Sequence, residues 1–328
     1  AGADPGPACY GKGGDEPTVT DANLFLGRLG KESKLGGWMN LDVNASENVL
    51  QNLSKKLNIS QVELAEGILS IINAKMADAI RTITVKEGID PREFSLVAFG
   101  GAGSMHAVWL AEELEISEII VPNDPGTFSA WGMLQTDIRR DLTVNFYQNF
   151  QSLEQKKLLE SYNKLKEEAS DLLKSENVSE SDMKFNLTAD MRYIGQEYYV
   201  NVDLAEPFNL EDINKNFHNT YKKQYGHSTP EGPCEFINLR LIALGKIQKS
   251  GSIKSASEDI DIENTKREVI FNQKAHQTDV LSRQKIKTND KFKGPVVIEE
   301  STATTVVPTN YNIVKDDFGN IIISKEKK

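Results

Sequence analysis

The hydrophobic pattern between residues 60 and 134 constrains the fold more than any other feature of the chain. Val62, Leu64, Ala65, Ile68, Leu69, Ile72, Met76, Ile80 and Ile83 recur at helical spacing over 61–86. They cover more than half of a helix surface, which predicts a largely buried helix. Ser60 and Glu63 stand at capping-box spacing at its start, Gly88 stops it, and Asp90-Pro91 blocks continuation. SLVAF (95–99) is short and apolar, as a buried parallel strand is. A helix over 103–114 follows with Met105, Val108, Trp109 and Leu114; EIIV (118–121) reads as another buried strand, and 122–134 as a turn and a short helix. Helix–strand–helix–strand–helix is the pattern of a doubly wound α/β unit.

The rest of the chain has a different texture. Residues 1–17 form a Gly/Pro loop, and TVTDANLFLGRL (18–29) opens a helix with Thr20 or Asp21 as its cap. A short helix covers 46–57. Beyond 136 the spacing predicts a strand at 143–150, an amphipathic helix at 152–175, antiparallel strands over 184–204 turning near Gly195, a helix at 209–224 and a long strand at 235–247. Residues 248–264 are polar and Ser-rich, a linker or exposed loop. REVIF, GPVVIEE, TTVVP and a DDFGNIIIS hairpin follow. No internal repeat stands out. The expected organisation is an α/β part over 1–142 and an α+β part rich in antiparallel strands over 143–328.

Composition narrows function by exclusion. The 328 residues carry 38 Lys and Arg against 48 Asp and Glu, a net charge of −10. That balance argues against a nucleic-acid surface, which needs a basic stripe, but not against small anionic ligands, which loop amides can hold. No apolar run nears the ~20 residues of a membrane span, and no signal peptide is visible. Two cysteines, Cys9 and Cys234, without a CxxC motif, fit a reducing cytoplasm. The chain lacks an initiator Met, and Pro and Gly crowd residues 2–14, so its start reads as a loop inside a longer protein.

Few residues stand out as chemical candidates. Glycines in FGGAGS (99–104) follow a strand, where a ligand or another backbone can approach closely. The motif is neither GxGxxG nor GxxxxGKS and no Lys follows, so a phosphate cradle of the Walker type is rejected. A tight turn without ligand explains the glycines equally well. His106 stands in the first turn of the next helix, where the dipole favours neutral imidazole, able to bind a metal or accept a proton. A histidine bonded to a neighbouring loop fits as well. Asp4 sits in a rigid Pro/Gly turn, and capping alone accounts for Asp21. DMRYIGQ (190–196) and YGHSTPEGP (225–233) need nothing beyond a hairpin and a helix cap at Gly226.

Taken together in order, AGADPGPACYG, TVTDANLFLGRL, FGGAGSMHA, PNDPGTFSAWGMLQTDIRRD, DMRYIGQEY, YGH, GPVVIEE and GNIIIS resemble the C-terminal half of the hydantoinase A / 5-oxoprolinase family, from residue 1 to about 325. The resemblance implies part of an actin-like, ribonuclease-H-like ATPase domain followed by an α+β domain, with an N-terminal half carrying the phosphate loops. It implies ATP and Mg2+ as cofactors, with Zn2+ or Mn2+ as a further metal. It implies phosphorylation of a cyclic amide or ketone oxygen, and a hydantoinase B-type partner subunit. The outcome would be ring hydrolysis, as in an N-methylhydantoinase; the alternatives are ketone carboxylation or a non-catalytic scaffold half that docks the B-type subunit. Carried over by position, Gly100, Gly101, Ala102, Gly103 and Ser104 would line the adenosine. Asp4 would face the phosphate side, Asp4 and Asp21 would be catalytic, and Asp21 and His106 would hold a metal. Ser104 stands where the family commonly has Pro.

Overall fold

The computed structural model describes residues 2–32, 35, 36, 38–249 and 265–326. The first part holds helices α1 (Val19–Phe25), α2 (Val43–Leu57) and α3 (Gln61–Lys86), strand β1 (Leu96–Val97), α4 (Gly103–Glu113), β2 (Glu118–Val121) and α5 (Phe128–Met133). Next come β3 (Ile138–Asn149), α6 (Gln155–Ser175), β4 (Met183–Tyr193), β5 (Val200–Leu204), α7 (Leu210–Tyr225) and β6 (Cys234–Gly245). The tail carries β7 (Thr265–Phe271), β8 (Lys274–Ser282), β9 (Lys291–Lys293), β10 (Val296–Glu299), β11 (Thr304–Val307), β12 (Tyr311–Lys315) and β13 (Ile321–Lys325). Of the Ser-rich stretch at 248–264, residues 250–264 lie outside the described residues. No described helix is long and apolar enough to cross a membrane.

The chain divides into two compact units, Ala1–Met133 with Ser252–Lys328, and Leu134–Gly251. The expected α+β part is therefore split in space, because the tail returns to the first unit. β13 pairs antiparallel with β2, Ile321 opposite Val121, and so extends the sheet that β1 and β2 begin. A five-stranded sheet of order β1-β2-β13-β12-β9 results, and a four-stranded sheet β11-β10-β8-β7 joins it in the same unit. Among the described residues only β1–β2 and β8–β10 run parallel. The doubly wound parallel sheet expected from the sequence is thus a mixed sheet, since the tail strands enter as hairpins, which force antiparallel pairing.

Two further expectations change in the first unit. In α3 only Leu64, Ala65, Leu69, Asn73 and Ala77 are buried. Helices α1, α2 and α4 pack against it, yet Ile71, Ile83 and Val85 stay 61–72% exposed. β1 is an edge strand with Val97 45% exposed, not a buried one. The cap of α1 is Thr18, one turn before the carboxylate it exchanges hydrogen bonds with, Asp21.

The second unit is an antiparallel sheet of order β3-β6-β4-β5. Helices α6 and α7 bury one face of it with Leu158, Tyr162, Leu173 and Phe217 against Met191, Phe236 and Leu241. β3 begins at Ile138 rather than 143, because Arg139 and Asp141 alternate outward while the ladder to β6 continues.

Candidate functional site

A cavity of about 1230 Å³ opens in the first unit. Its walls come from α1 and the turn after it (Asn23 to Gly30), from Gly101 and Ala102 with the first turn of α4 (Met105, His106), from β7, and from Glu299–Thr304 at the β10–β11 hairpin. Local sequence brings these pieces together. Ile270 N–H donates to Leu26 O at 2.9 Å, closing the end of α1 on β7. Gly27 has φ 73° there, and any side chain would strike Glu268 O. Ser104 Oγ donates to Thr304 O at 2.9 Å, tying α4 to β11.

The glycine turn after β1 forms one edge of the cavity. Gly100 adopts φ 87°, the left-handed region that favours glycine, and its N–H donates to Pro125 O at 2.7 Å. A Cβ on Gly101 would stand 3.2 Å from Thr302 O, so turn and hairpin tip approach backbone to backbone. Gly101 and Ala102 line the cavity. Ser104 does not: it is fully buried behind them, its hydroxyl committed to Thr304. Gly103 is the first residue of α4.

His106 also lines the cavity and is 6% exposed. Its Nδ1 stands 2.8 Å from Asn73 Oδ1, an acceptor, so Nδ1 carries the proton and Nε2 keeps a lone pair. Burial first, and then the Arg28 charge, push its pKa down to about 4. Arg28 is itself buried with its guanidinium 4.1 Å from the Trp109 ring centroid; desolvation lowers its pKa to about 10, against the pull of Glu66.

Two ion pairs fix the opposite lip. Arg267 Nη1 donates to Glu299 Oε1 at 2.7 Å. Arg283 Nε approaches Glu300 Oε1 to 2.8 Å, and its Nη2 donates to Oε2 at 3.0 Å. Burial raises the Glu300 carboxyl pKa despite Arg283. The sequence reading missed these four residues and Asn23. The one available signal was a pair of glutamates closing the apolar run of GPVVIEE.

Asp21 is not placed to act as catalyst or metal ligand. It is fully buried and collects bonds from Ala8 N, Cys9 N, Thr18 N, Thr18 Oγ1 and Ser46 Oγ, at 2.6–3.2 Å. Burial alone would raise its pKa; bonds from Ser46, Thr18 and Cys9 hold it below the usual range. Both oxygens are consumed in pinning the N-terminal loop to α1 and α2. Asp4 is exposed in a turn outside the cavity wall. The structure does not gather Asp21 and His106 into a metal site, and no cluster of three His, Cys, Asp or Glu side chains suited to a metal exists among the described residues. Burial pushes the Cys9 thiol up to about 12, an unreactive state. In the second unit, Asp190 of DMRYIGQ accepts from Asn201, Asn238 and Arg240, and Gly226 caps α7.

The cavity thus combines a glycine edge that admits a flat group, a neutral imidazole and the charged side chains of Lys31, Glu32 and Arg267. Asn23 and Arg267 belong to the cavity lining, but their atoms Oδ1 and Nε are themselves buried out of reach of it and have no partner among the described residues.

Comparison with known proteins gives a consistent set of matches. A family model described as hydantoinase/oxoprolinase matches residues 1–142, and one described as hydantoinase/oxoprolinase C-terminal domain matches 145–325. Caprolactamase subunit alpha of Pseudomonas jessenii is 32% identical over 96% of this chain and 47% of its own length. The 5-oxoprolinase of Saccharomyces cerevisiae is 28% identical over 94% of this chain and 26% of its own. A crystal structure of ATP-dependent caprolactamase from Pseudomonas jessenii superposes with TM-score 0.72 at 29% identity, over 100% of this chain and 49% of that one. The chain therefore spans about half the length, or less, of these relatives.

Proposed function

The chain belongs to the hydantoinase/oxoprolinase family, and from that membership we propose that it supplies the adenosine side of an ATP-dependent site that activates a cyclic amide for ring opening. The observation that carries this reading is the backbone-to-backbone contact between the Gly100–Gly103 turn and Thr302 at the cavity edge. Such an edge accepts a flat, uncharged group, and no lysine follows the glycines in sequence, although Lys31 lines the same cavity. ATP would supply the phosphoryl group that, carried on the amide oxygen, turns a poor electrophilic carbon into a good one, so that water can add and the ring C–N bond can break. The phosphate-binding elements then belong to the half of the relatives that this chain does not span, in an actin-like ATPase arrangement. Gly101 and Ala102 would carry the adenosine, His106 would offer Nε2 as an acceptor, and a hydantoinase B-type subunit would be the partner. The relative described as a subunit alpha supports a partner subunit of some kind.

Calorimetry with Mg-ATP on the chain assembled with the remainder of the protein tests the reading. Binding that is lost in Gly101→Arg is the expected result. Unchanged binding in that variant, or none in the parent, contradicts it.

A further inference from the structure

The seam between α3 and α4 changes character where it meets the cavity. Along most of its length it is apolar: Ala77, Leu110 and Leu114 are buried there, with Met76 and Ile80 packed against them. One turn nearer the cavity, Asn73 precedes Ala77 on α3 and His106 precedes Leu110 on α4, four residues back in each helix. Asn73 is 4% exposed and is the one polar residue that α3 buries. The two side chains meet at 2.8 Å, Asn73 Oδ1 on His106 Nδ1. Two aliphatic side chains would fill the same seam without the cost of burying polar atoms, so packing does not ask for this pair. What the pair does is set one atom. With Nδ1–H given to Asn73, Nε2 is the lone-pair nitrogen, and the ring cannot turn over without breaking that bond. His106 lines the cavity, and Nε2 has no partner among the described residues. Unlike the Asn23 and Arg267 atoms, Nε2 is not sealed from solvent. Burial and the Arg28 charge oppose a proton on it.

We propose that Asn73 is a positioning residue that holds His106 in the Nδ1–H tautomer, and that Nε2 thereby selects, at the cavity wall, a ligand atom that donates a hydrogen bond. A hydroxyl, an amine or an amide N–H satisfies it. A carbonyl, an ether, a carboxylate or an ionised phosphate oxygen has no hydrogen to give and meets lone pair with lone pair. This deepens the adenosine and cyclic-amide reading above and rests on it. Adenosine brings ribose hydroxyls and an exocyclic amine, and a lactam brings its ring N–H.

Nitrogen-15 NMR of the histidine-labelled 328-residue chain reads the ring directly. The His106 signals are identified by their loss in His106→Gln or, should that variant not fold, by substituting the other three histidines in turn. Near neutral pH the expected spectrum has Nδ1 protonated and Nε2 bare, with a mixture of the two tautomers in Asn73→Leu. A protonated Nε2 in the parent chain, or an unchanged tautomer in Asn73→Leu, overturns the proposal. If Asn73→Leu does not fold, Asn73→Asp, which keeps an acceptor, is expected to keep Nδ1 protonated, and a bare Nδ1 there overturns the proposal. The chain is then titrated with adenosine, 2′,3′-dideoxyadenosine, N6,N6-dimethyladenosine, caprolactam and N-methylcaprolactam. The deletion that weakens binding about tenfold identifies the donor. The compound that carries this donor is expected to move the Nε2 resonance, and its advantage is expected to shrink to about twofold or less in Asn73→Leu. Binding that leaves Nε2 unmoved, or equal binding with and without the donor, overturns the proposal while the adenosine and cyclic-amide reading stands. Binding by none of the five compounds overturns both.

Discussion

His106 shows how a single side chain can be set by its surroundings. Asn73 Oδ1 accepts a hydrogen bond from its Nδ1–H, burial and the Arg28 charge oppose a second proton, and the pKa falls to about 4. The unfolded chain binds a proton near pH 6.5 that the folded one refuses, so stability is full above 6.5 and is lost as pH falls toward 4. Across that window the change amounts to at most ~3 kcal/mol. Denaturant unfolding between pH 4 and 7 should show this slope, and His106→Gln should flatten it; an unchanged slope in the variant contradicts the assignment. Asp21 makes the opposite case, an ionised group kept charged by its bonds. Asp21→Asn puts an NH2 where donors point, and is expected to cost about 2–4 kcal/mol in equilibrium unfolding. A loss under 0.5 kcal/mol would contradict the saturated geometry. A helix start within TVTD was legible in the sequence, but its cap, Thr18 rather than Thr20 or Asp21, and the donors from Ala8, Cys9 and Ser46 were not, since those donors depend on how distant loops fold back.

At the scale of elements, the helices were read closely: α3 and α4 match the sequence spacing almost to the residue. Their surroundings were less legible. Periodicity tells that a face is apolar and says nothing about which faces of α3 find a partner in this chain, which is why Ile83 is read with the buried face yet is exposed. The glycines after β1 were read as a close-approach turn, yet what approaches is the hairpin tip at Thr302, about 200 residues away in sequence. The same tip sits against Gly126, where a Cβ would collide with Thr302 Oγ1. Gly126→Ala is expected to lower stability by about 1–3 kcal/mol in thermal unfolding, and Thr302→Gly to recover part of it. No loss in the single variant, or no recovery in the double, would show that the tip does not lock there.

Across the whole molecule, the family boundary near 142–145 and the spatial division differ. The change of sequence pattern suggests a division near 142; β13 completing the sheet begun by β1 and β2 decides the spatial one, and nothing local in IIIS names its partner strand. The core of the unit 134–251 is drawn wholly from its own residues. A fragment spanning 134–251 should therefore give a dispersed amide spectrum, whereas 1–133 alone, deprived of β7 to β13, should not. A folded 1–133 fragment would contradict the topology. The central claim concerns the cavity of the first unit, and photolabelling with 8-azido-ATP tests it most directly on the chain assembled with the remainder of the protein. The account predicts label that ATP competes away, mapped to peptides covering 99–106 or 299–304; label confined to 134–251, or label that ATP does not displace, would contradict it.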